Sequence, residues 1–357
     1  METTSDTNEH KKKPKVGIPR ALHYFRYFPF WKKLLEGLGA EIVLSPPTNK
    51  KIVETGVQQG FGELCIPMKV YYGHVMHLIE NNPELDYIFV PRYVSEIKDE
   101  FFCPKFLSLP DVIKILPDVP KLLNFEVNVK EFPVNISAVE LGKQLGVGRS
   151  KSLEVYEESK HYFHEYKKFL RDGAPVIHAL KLVRMDKPFK LPKKNSEGEI
   201  RLLLIGHEYN LFDTFINLDF QKKLRERDVE VLTKENMPES MFKVPVVVNR
   251  KLKNYWRHEE EIMQVCRYYM SEGRNEIDGI IFLISFACGP DSIISELIMR
   301  DMKVVGLPYL AIIMDEHSGE AGMLTRIESF VEMIKRKKKK LRLDSGHEKK
   351  TQHVDIF

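Results

Sequence analysis

Cys65, Cys103, Cys266 and Cys288 are the four cysteines of the 357-residue chain, and they are the residues with the most chemistry to offer. No two form a C-x-x-C pair, so neither a zinc ribbon nor a thioredoxin motif is available locally. Cys288 lies in Ile284-Ser285-Phe286-Ala287-Cys288-Gly289-Pro290-Asp291, between the apolar run Gly279–Leu283 and the helical pattern Ser292–Met299. Pro290 suits the first turn of a helix, where its missing N–H costs nothing. Cys288 is therefore expected at a strand-to-helix junction, where unpaired backbone N–H groups favour a thiolate. Cys65 repeats the arrangement, two residues before Pro67, and Cys103 stands in the loop segment Phe101-Phe102-Cys103-Pro104-Lys105. Cys266, inside Ile262–Tyr268, reads as a helical core residue.

Three thiolates at exit loops suit an iron–sulfur cluster. The spacing is not itself diagnostic, since 38 residues separate Cys65 from Cys103 and 185 separate Cys103 from Cys288. Buried cysteines acting as small hydrophobes remain the plain alternative. A zinc site needs a fourth ligand, for which His74 or His317 is available, and a cysteine–histidine nucleophile has no local pairing. Glu316, His317 and Glu320, in Asp315-Glu316-His317-Ser318-Gly319-Glu320, are the candidate acid/base residues, against a capping role at a helix start. His207-Glu208 reads as local hydrogen bonding. Arg20 and Arg92 suit either an anion or an ion pair. Gly146-Val147-Gly148 follows no strand, and no phosphate-binding P-loop occurs.

The elements that must position these residues alternate. Lys15–Arg20 (strand), Phe30–Leu38 (helix) and Glu41–Ser45 (strand) form a βαβ unit, which implies a parallel sheet. A helix at Val70–Ile79 and a strand at Asp86–Val90 follow, the strand exiting into Pro91–Ser95, with a helix near Asp111–Leu116. Residues 117–198 lack alternation; Ala138–Leu145 and Lys151–Arg171 read as helices, the second carrying aromatic packing residues, and Lys187–Glu199 as a linker. A second series runs through Ile200–Gly206 (strand), Ile216–Glu226 (helix), Val229–Leu232 (strand), Tyr255–Ser271 (helix) and the Cys288 strand. It ends with Lys303–Tyr309 and Ala311–Met314 as a last strand region and a helix at Met323–Lys335. The fold class is α/β, with two Rossmann-like parallel-sheet domains and a helical insert between them. The expected divisions are a tail at 1–13, domains at 14–120 and 199–336, a helical middle segment and linker at 121–198, and a basic tail at 337–357. Ligands in such folds bind beyond the carboxyl ends of the strands, where Cys65, Arg92, Cys103, His207, Cys288 and the 315–320 segment all fall.

The net charge is +4, and Lys11–Lys13 and Lys335–Lys340 hold much of the basic excess. Such runs read as solvated tails, so neither nucleic acid nor membrane is an expected partner. With no apolar run near the ~18 residues of a membrane span and a polar start, a cytoplasmic protein is expected.

In combination, Gly17–Leu22, Glu63–Lys69, Phe102–Lys105, Phe286–Asp291 and Asp315–Gly322 resemble the acyl-CoA dehydratase activase-related proteins. These are kin of the 2-hydroxyacyl-CoA dehydratase subunits and of double-cubane cluster proteins, and the resemblance runs from about residue 15 to 335. It implies a single [4Fe-4S] cluster held by Cys65, Cys103 and Cys288 between the domains. It also implies a separate ATP-dependent activase of the BadF/BcrA type as electron donor. A small substrate, either a CoA thioester or a related compound, would be reduced or dehydrated. The alternative is a non-catalytic redox or assembly partner in such a system. A homo- or heterodimer fits either role.

Overall fold

The computed structural model describes residues 12–60, 62–192, 199–238 and 256–351, with side chains described as far as residue 340. The chain begins β1 (Lys15–Ile18), α1 (Tyr24–Gly37), β2 (Glu41–Leu44), α2 (Lys50–Gln59), α3 (Ile66–Asn81) and β3 (Tyr87–Phe89). Then come β4 (Arg92–Ser95), α4 (Pro104–Leu107), α5 (Leu109–Ile113), β5 (Lys121–Leu123) and β6 (Glu126–Asn128). Three helices follow: α6 (Val134–Gln144), α7 (Arg149–Arg171) and α8 (Val176–Arg184). The second series is β7 (Ile200–Gly206), α9 (Glu208–Phe212), α10 (Phe220–Arg225), β8 (Val229–Leu232) and a 3-10 turn at Lys234–Asn236. It closes with α11 (Arg257–Met270), β9 (Gly279–Ser285), α12 (Gly289–Val305), β10 (Tyr309–Met314) and α13 (Glu320–Thr351).

Two four-stranded sheets result, ordered β2-β1-β3-β5 and β10-β9-β7-β8, and every pairing in them is parallel. Both are wound alike: the first strand lies between the second and third, and the fourth lies outside the third. These are the expected Rossmann-like sheets. In each, the connections diverge beside the first strand, which opens a crevice at the carboxyl edge between β1 and β3 and between β7 and β9. Parallel strands covered on both faces read as continuous apolar runs. β9, Gly279–Ser285, is buried at every position.

Several elements depart from the sequence expectation. The Pro91–Ser95 exit contains a strand, β4, which pairs with β6 in a separate two-stranded sheet. β5, in the stretch read as helical, is the fourth strand of the first sheet. These strands have three or four residues, too few for alternation to register. Lys303–Val305 belong to α12, not to a strand. Gly306, at φ 67°, ends that helix in the left-handed conformation that favours glycine. α13 continues to Thr351, through the basic run read as a tail. Residues 1–11 of the tail at 1–13 and residues 193–198 of the Lys187–Glu199 linker lie outside the described residues.

α2 and α3 meet backbone to backbone through Gly56 and Gly73. A Cβ on Gly56 would stand 1.9 Å from Lys69 O, and one on Gly73 1.9 Å from Ile52 O. This contact seats α3, which begins at Cys65. Among the described residues, no helix is long and apolar enough to cross a membrane.

Candidate functional site

Cys65, Cys103 and Cys288 each occupy the N-cap position of a helix: α3, α4 and α12 in turn. A proline follows in the first turn each time, as the Cys-x-Pro and Cys-Pro spacings require. The three cysteines line one cavity of about 290 Å³. That is close to the lower end of the ~300–1,000 Å³ common for small-ligand sites. Leu22, Met68 and Phe106 from the first half of the chain, and His207, Tyr209, Trp256 and Glu259 from the second, complete much of the wall. Cys65 and Cys288 are each 8% exposed, and Cys103 is half-buried.

The loop before α12 is built tightly. Ala287 sits at φ 62°, a left-handed conformation that costs a residue with a Cβ about 1 kcal/mol. Cys288 N–H donates to Ser285 O at 3.1 Å, and Ser292 Oγ donates to Cys288 O at 2.7 Å. Lys105 Nζ reaches Ala287 O at 3.5 Å, joining the Cys103 and Cys288 loops.

At Cys103 and Cys288 the helix start does not by itself make a thiolate. Burial, reinforced by the Asp291 carboxylate, pushes the Cys288 thiol up to about 12 against the opposing pull of His207. Burial likewise raises Cys103. At Cys103 and Cys288 desolvation outweighs the helix-terminus effect, so a metal bound there would itself have to displace the protons. Cys266 is fully buried on α11 and its thiol is also raised by burial; it does not line this cavity.

His207 has a larger place than local hydrogen bonding. It ends β7 at the crevice beside β9, 3.2 Å from Asp291 Oδ1 and 3.4 Å from Glu259 Oε1 through its Nε2. Its Nδ1 lies 3.1 Å from His258 Nδ1. His207, Glu259, Cys288 and Asp291 form a group able to hold a metal ion. Burial lowers the His207 pKa, but the charge of Asp291 and the close approach of Asp291, Cys288 and Glu259 outweigh it and raise the pKa well above its ordinary value. Asp291 was visible in the Cys-Gly-Pro-Asp run. Glu259 and His258 were not, because their only signal is the acidic start of α11, an ordinary helix feature.

Glu208 belongs to a different assembly. Its Oε1 accepts from Arg26 Nη1 at 3.0 Å and Lys234 Nζ at 2.6 Å. Glu261 accepts from both nitrogens of Arg26 at 2.7 and 2.8 Å, from Lys234 at 2.9 Å and from Arg257 at 2.6 Å. This ionic group joins α1 to α9 and α11, directly behind His207 and Glu259. It also floors a larger cavity, about 540 Å³, walled by Tyr27, Phe30, Tyr93, Tyr156, Phe163 and Tyr166 among others.

The remaining candidates lie elsewhere. His74 is bracketed by Ser45 Oγ at 2.8 Å and Thr48 Oγ1 at 2.9 Å, so both ring nitrogens are engaged, and it does not line the cysteine cavity. None of Glu316, His317 and Glu320 lines the cysteine cavity. Glu316 pairs with Lys69 of α3 at 2.6 Å and Glu320 with Lys223 at 3.1 Å, while exposed His317 lies within a turn in which Ser318 Oγ donates to Asp315 Oδ1 at 2.9 Å. Arg92 pairs with Asp111 at 2.7 Å, and Arg20 packs over the Tyr24 ring.

No curated protein matches the chain. Two family patterns do: residues 241–334 match the 2-hydroxyglutaryl-CoA dehydratase, D-component, and residues 15–237 match the CoA enzyme activase uncharacterised domain (DUF2229). The second match spans well over half of the 357 residues and the first continues almost from its end, so the chain belongs to the CoA enzyme activase uncharacterised domain family and is activase-related, with a dehydratase D-component segment behind it.

Proposed function

We propose that this member of a 2-hydroxyacyl-CoA dehydratase system is an iron–sulfur protein holding one [4Fe-4S] cluster through Cys65, Cys103 and Cys288. The observation that carries this reading is the convergence of three distant cysteines, each capping a helix, on a single cavity of about 290 Å³. The donor set fits: soft thiolates suit iron–sulfur clusters, and the helix N-termini bring partial positive charge and N–H donors towards an anionic group. Three cysteines leave one iron for a non-cysteine ligand. When bound, the cluster supplies one-electron transfer at a potential set by burial and by hydrogen bonds to its sulfurs.

The chain's own residues supply the rest. Tyr209, Phe106 and Met68 exclude water from the cavity wall. His207 and Glu259 reach the same cavity and can hold a proton beside a bound substrate, a better position for acid/base work than that of Glu316, His317 and Glu320. Glu316, through Lys69, holds α3 and so Cys65 in place. Electrons would come from a separate ATP-dependent activase, and the substrate would be a small compound, a CoA thioester being the class the family names suggest.

Anaerobic purification with iron and sulfide quantification tests this. Cys65→Ala, Cys103→Ala and Cys288→Ala are each expected to lose iron and sulfide together, while Cys266→Ala keeps both. Equal sulfide in all four variants would sink the assignment. Turnover of a thioester only when an activase and ATP are present separates a dehydratase or reductase from a non-catalytic redox partner.

A further inference from the structure

Beside the three cysteines stands a set of donors that the cluster does not require. The nearest atoms of His207, Glu259, Asp291 and Cys288 all fall within 4.8 Å of one another. Asp291 is 0% exposed, and Glu259 and His207 are 2% exposed. Both oxygens of Asp291, Glu259 Oε1 and His207 Nε2 make no well-directed hydrogen bond among the described residues, although Nε2 lies within ion-pair distance of both carboxylates. The ion pairs among the described residues join no lysine or arginine to either carboxylate, so the single His207 ring is shared between the two. Two desolvated carboxylates cost several kcal/mol each unless a cation meets them. An imidazole nitrogen carries at most one hydrogen, so His207 Nε2 can satisfy only one of the acceptors that surround it.

Two of the separations match those around a metal ion. Bonds of about 2.0–2.2 Å from zinc to nitrogen and oxygen give a tetrahedron with edges of roughly 3.3–3.5 Å. The His207–Asp291 and His207–Glu259 separations are 3.2 and 3.4 Å. His258 at the other ring nitrogen, 3.1 Å away, leaves Nε2 as the coordinating atom and acts as the outer partner that metal-bound histidines usually have.

The geometry points to a divalent-cation site formed by His207 Nε2, Glu259, Asp291 and Cys288 Sγ, which takes a transition ion of the zinc or ferrous class. The mixed nitrogen, oxygen and sulfur donors favour these ions over magnesium and calcium, which prefer oxygen alone. Binding converts the Cys288 thiol to a thiolate and releases its proton to solvent. Cys65 and Cys103 are not ligands, so the site stands without the cluster. With both present, Cys288 would be a ligand to each.

The test uses the full chain carrying Cys65→Ala and Cys103→Ala together, stripped of metal and titrated with Co²⁺ and, separately, Zn²⁺. One equivalent per chain is expected, with a thiolate-to-cobalt charge-transfer band that disappears on adding Cys288→Ala. Asp291→Asn and Glu259→Gln should each weaken binding by at least about tenfold, with far-UV circular dichroism unchanged. Well under one equivalent in the folded double variant, or unchanged binding in Asp291→Asn and Glu259→Gln, overturns the site. Should the double variant fail to fold, Asp291→Asn in the wild-type background is expected to lose one metal equivalent while sulfide stays constant, and no loss overturns the site. Sulfide in the wild-type protein reports the cluster independently: one cobalt equivalent in the double variant with no sulfide in wild type overturns the cluster alone, and the converse overturns this site alone.

Discussion

Replacing Glu261 with glutamine is the sharpest test of what holds the two halves of the site together. Its carboxylate receives Arg26, Lys234 and Arg257 at 2.6–2.9 Å, and its side chain is 7% exposed. Arg26 lies on α1 of the first sheet's half, while Lys234 and Arg257 come from the second. In the variant, three cations must share Glu208 and the peripheral Glu96, Glu100 and Glu235, while the new amide turns N–H donors towards them. Breaking a buried pair by removing one partner costs about 3–5 kcal/mol, because the other charge is left without compensation. Urea unfolding at pH 7, followed by circular dichroism and by Trp31 fluorescence, should show a loss of that size. Despite burial, Arg26 and Lys234 hold the Glu261 pKa well below its ordinary value. A depressed carboxylate pKa gives stability that is complete above the unfolded-state value of about 4.3 and is lost as pH falls through the folded-state value. The gap between wild type and variant should thus be full at pH 7 and close below about pH 4. Adding Lys234→Met to Glu261→Gln should cost less than the two changes separately, with a coupling of about 1–3 kcal/mol. A single-variant loss under about 1 kcal/mol, independent of pH, would refute the reasoning by showing that the group behaves as a solvated surface cluster.

Asp213 gives the opposite pH signature. Burial lifts its carboxyl to about 6, against hydrogen bonds from Thr48 and the Ile216 and Phe215 amides. The folded state therefore binds this proton more tightly than the unfolded chain, and stability falls by about 3 kcal/mol as pH rises from about 4 to 6. Asp213→Asn should flatten that fall in a pH series of unfolding free energies; a fall of undiminished size would assign it to other groups. Gly73→Ala places a methyl 1.9 Å from Ile52 O and must force α2 and α3 apart, at a cost of about 1–3 kcal/mol or more. Iron content should drop with stability because α3 carries Cys65; wild-type iron content and melting temperature would refute the close-packing account.

The sheets were legible because buried parallel strands announce themselves as unbroken apolar runs, β7 and β9 above all. The cysteines were legible because cysteine and proline at short spacing mark a helix start. The short strands β4, β5 and β6 were not, since three or four residues carry too little periodicity to stand out from a loop. Lys303–Val305 misled because β-branched residues at a helix end look like a strand beginning. Glu259 escaped for another reason: an acidic residue in the first turn of a helix is ordinarily a dipole partner on the surface. Only the packing of α11 against the end of β7 turns it inward to His207. Long-range pairings such as Arg26 with Glu261, 235 residues apart, leave no trace in local pattern.

The cavity wall draws on both halves of the chain, which sets an order in time. Cys65 and Cys103 emerge during synthesis 185 or more residues before Cys288, which at about 5–20 residues per second is roughly 10–40 s. Throughout that interval Cys288 is missing, and for the first half of it His207 and Tyr209 are missing as well, so the cavity wall around the first two thiols is incomplete. The proposed cluster could therefore be held by all three cysteines only once Cys288 has been made, at the end of biogenesis.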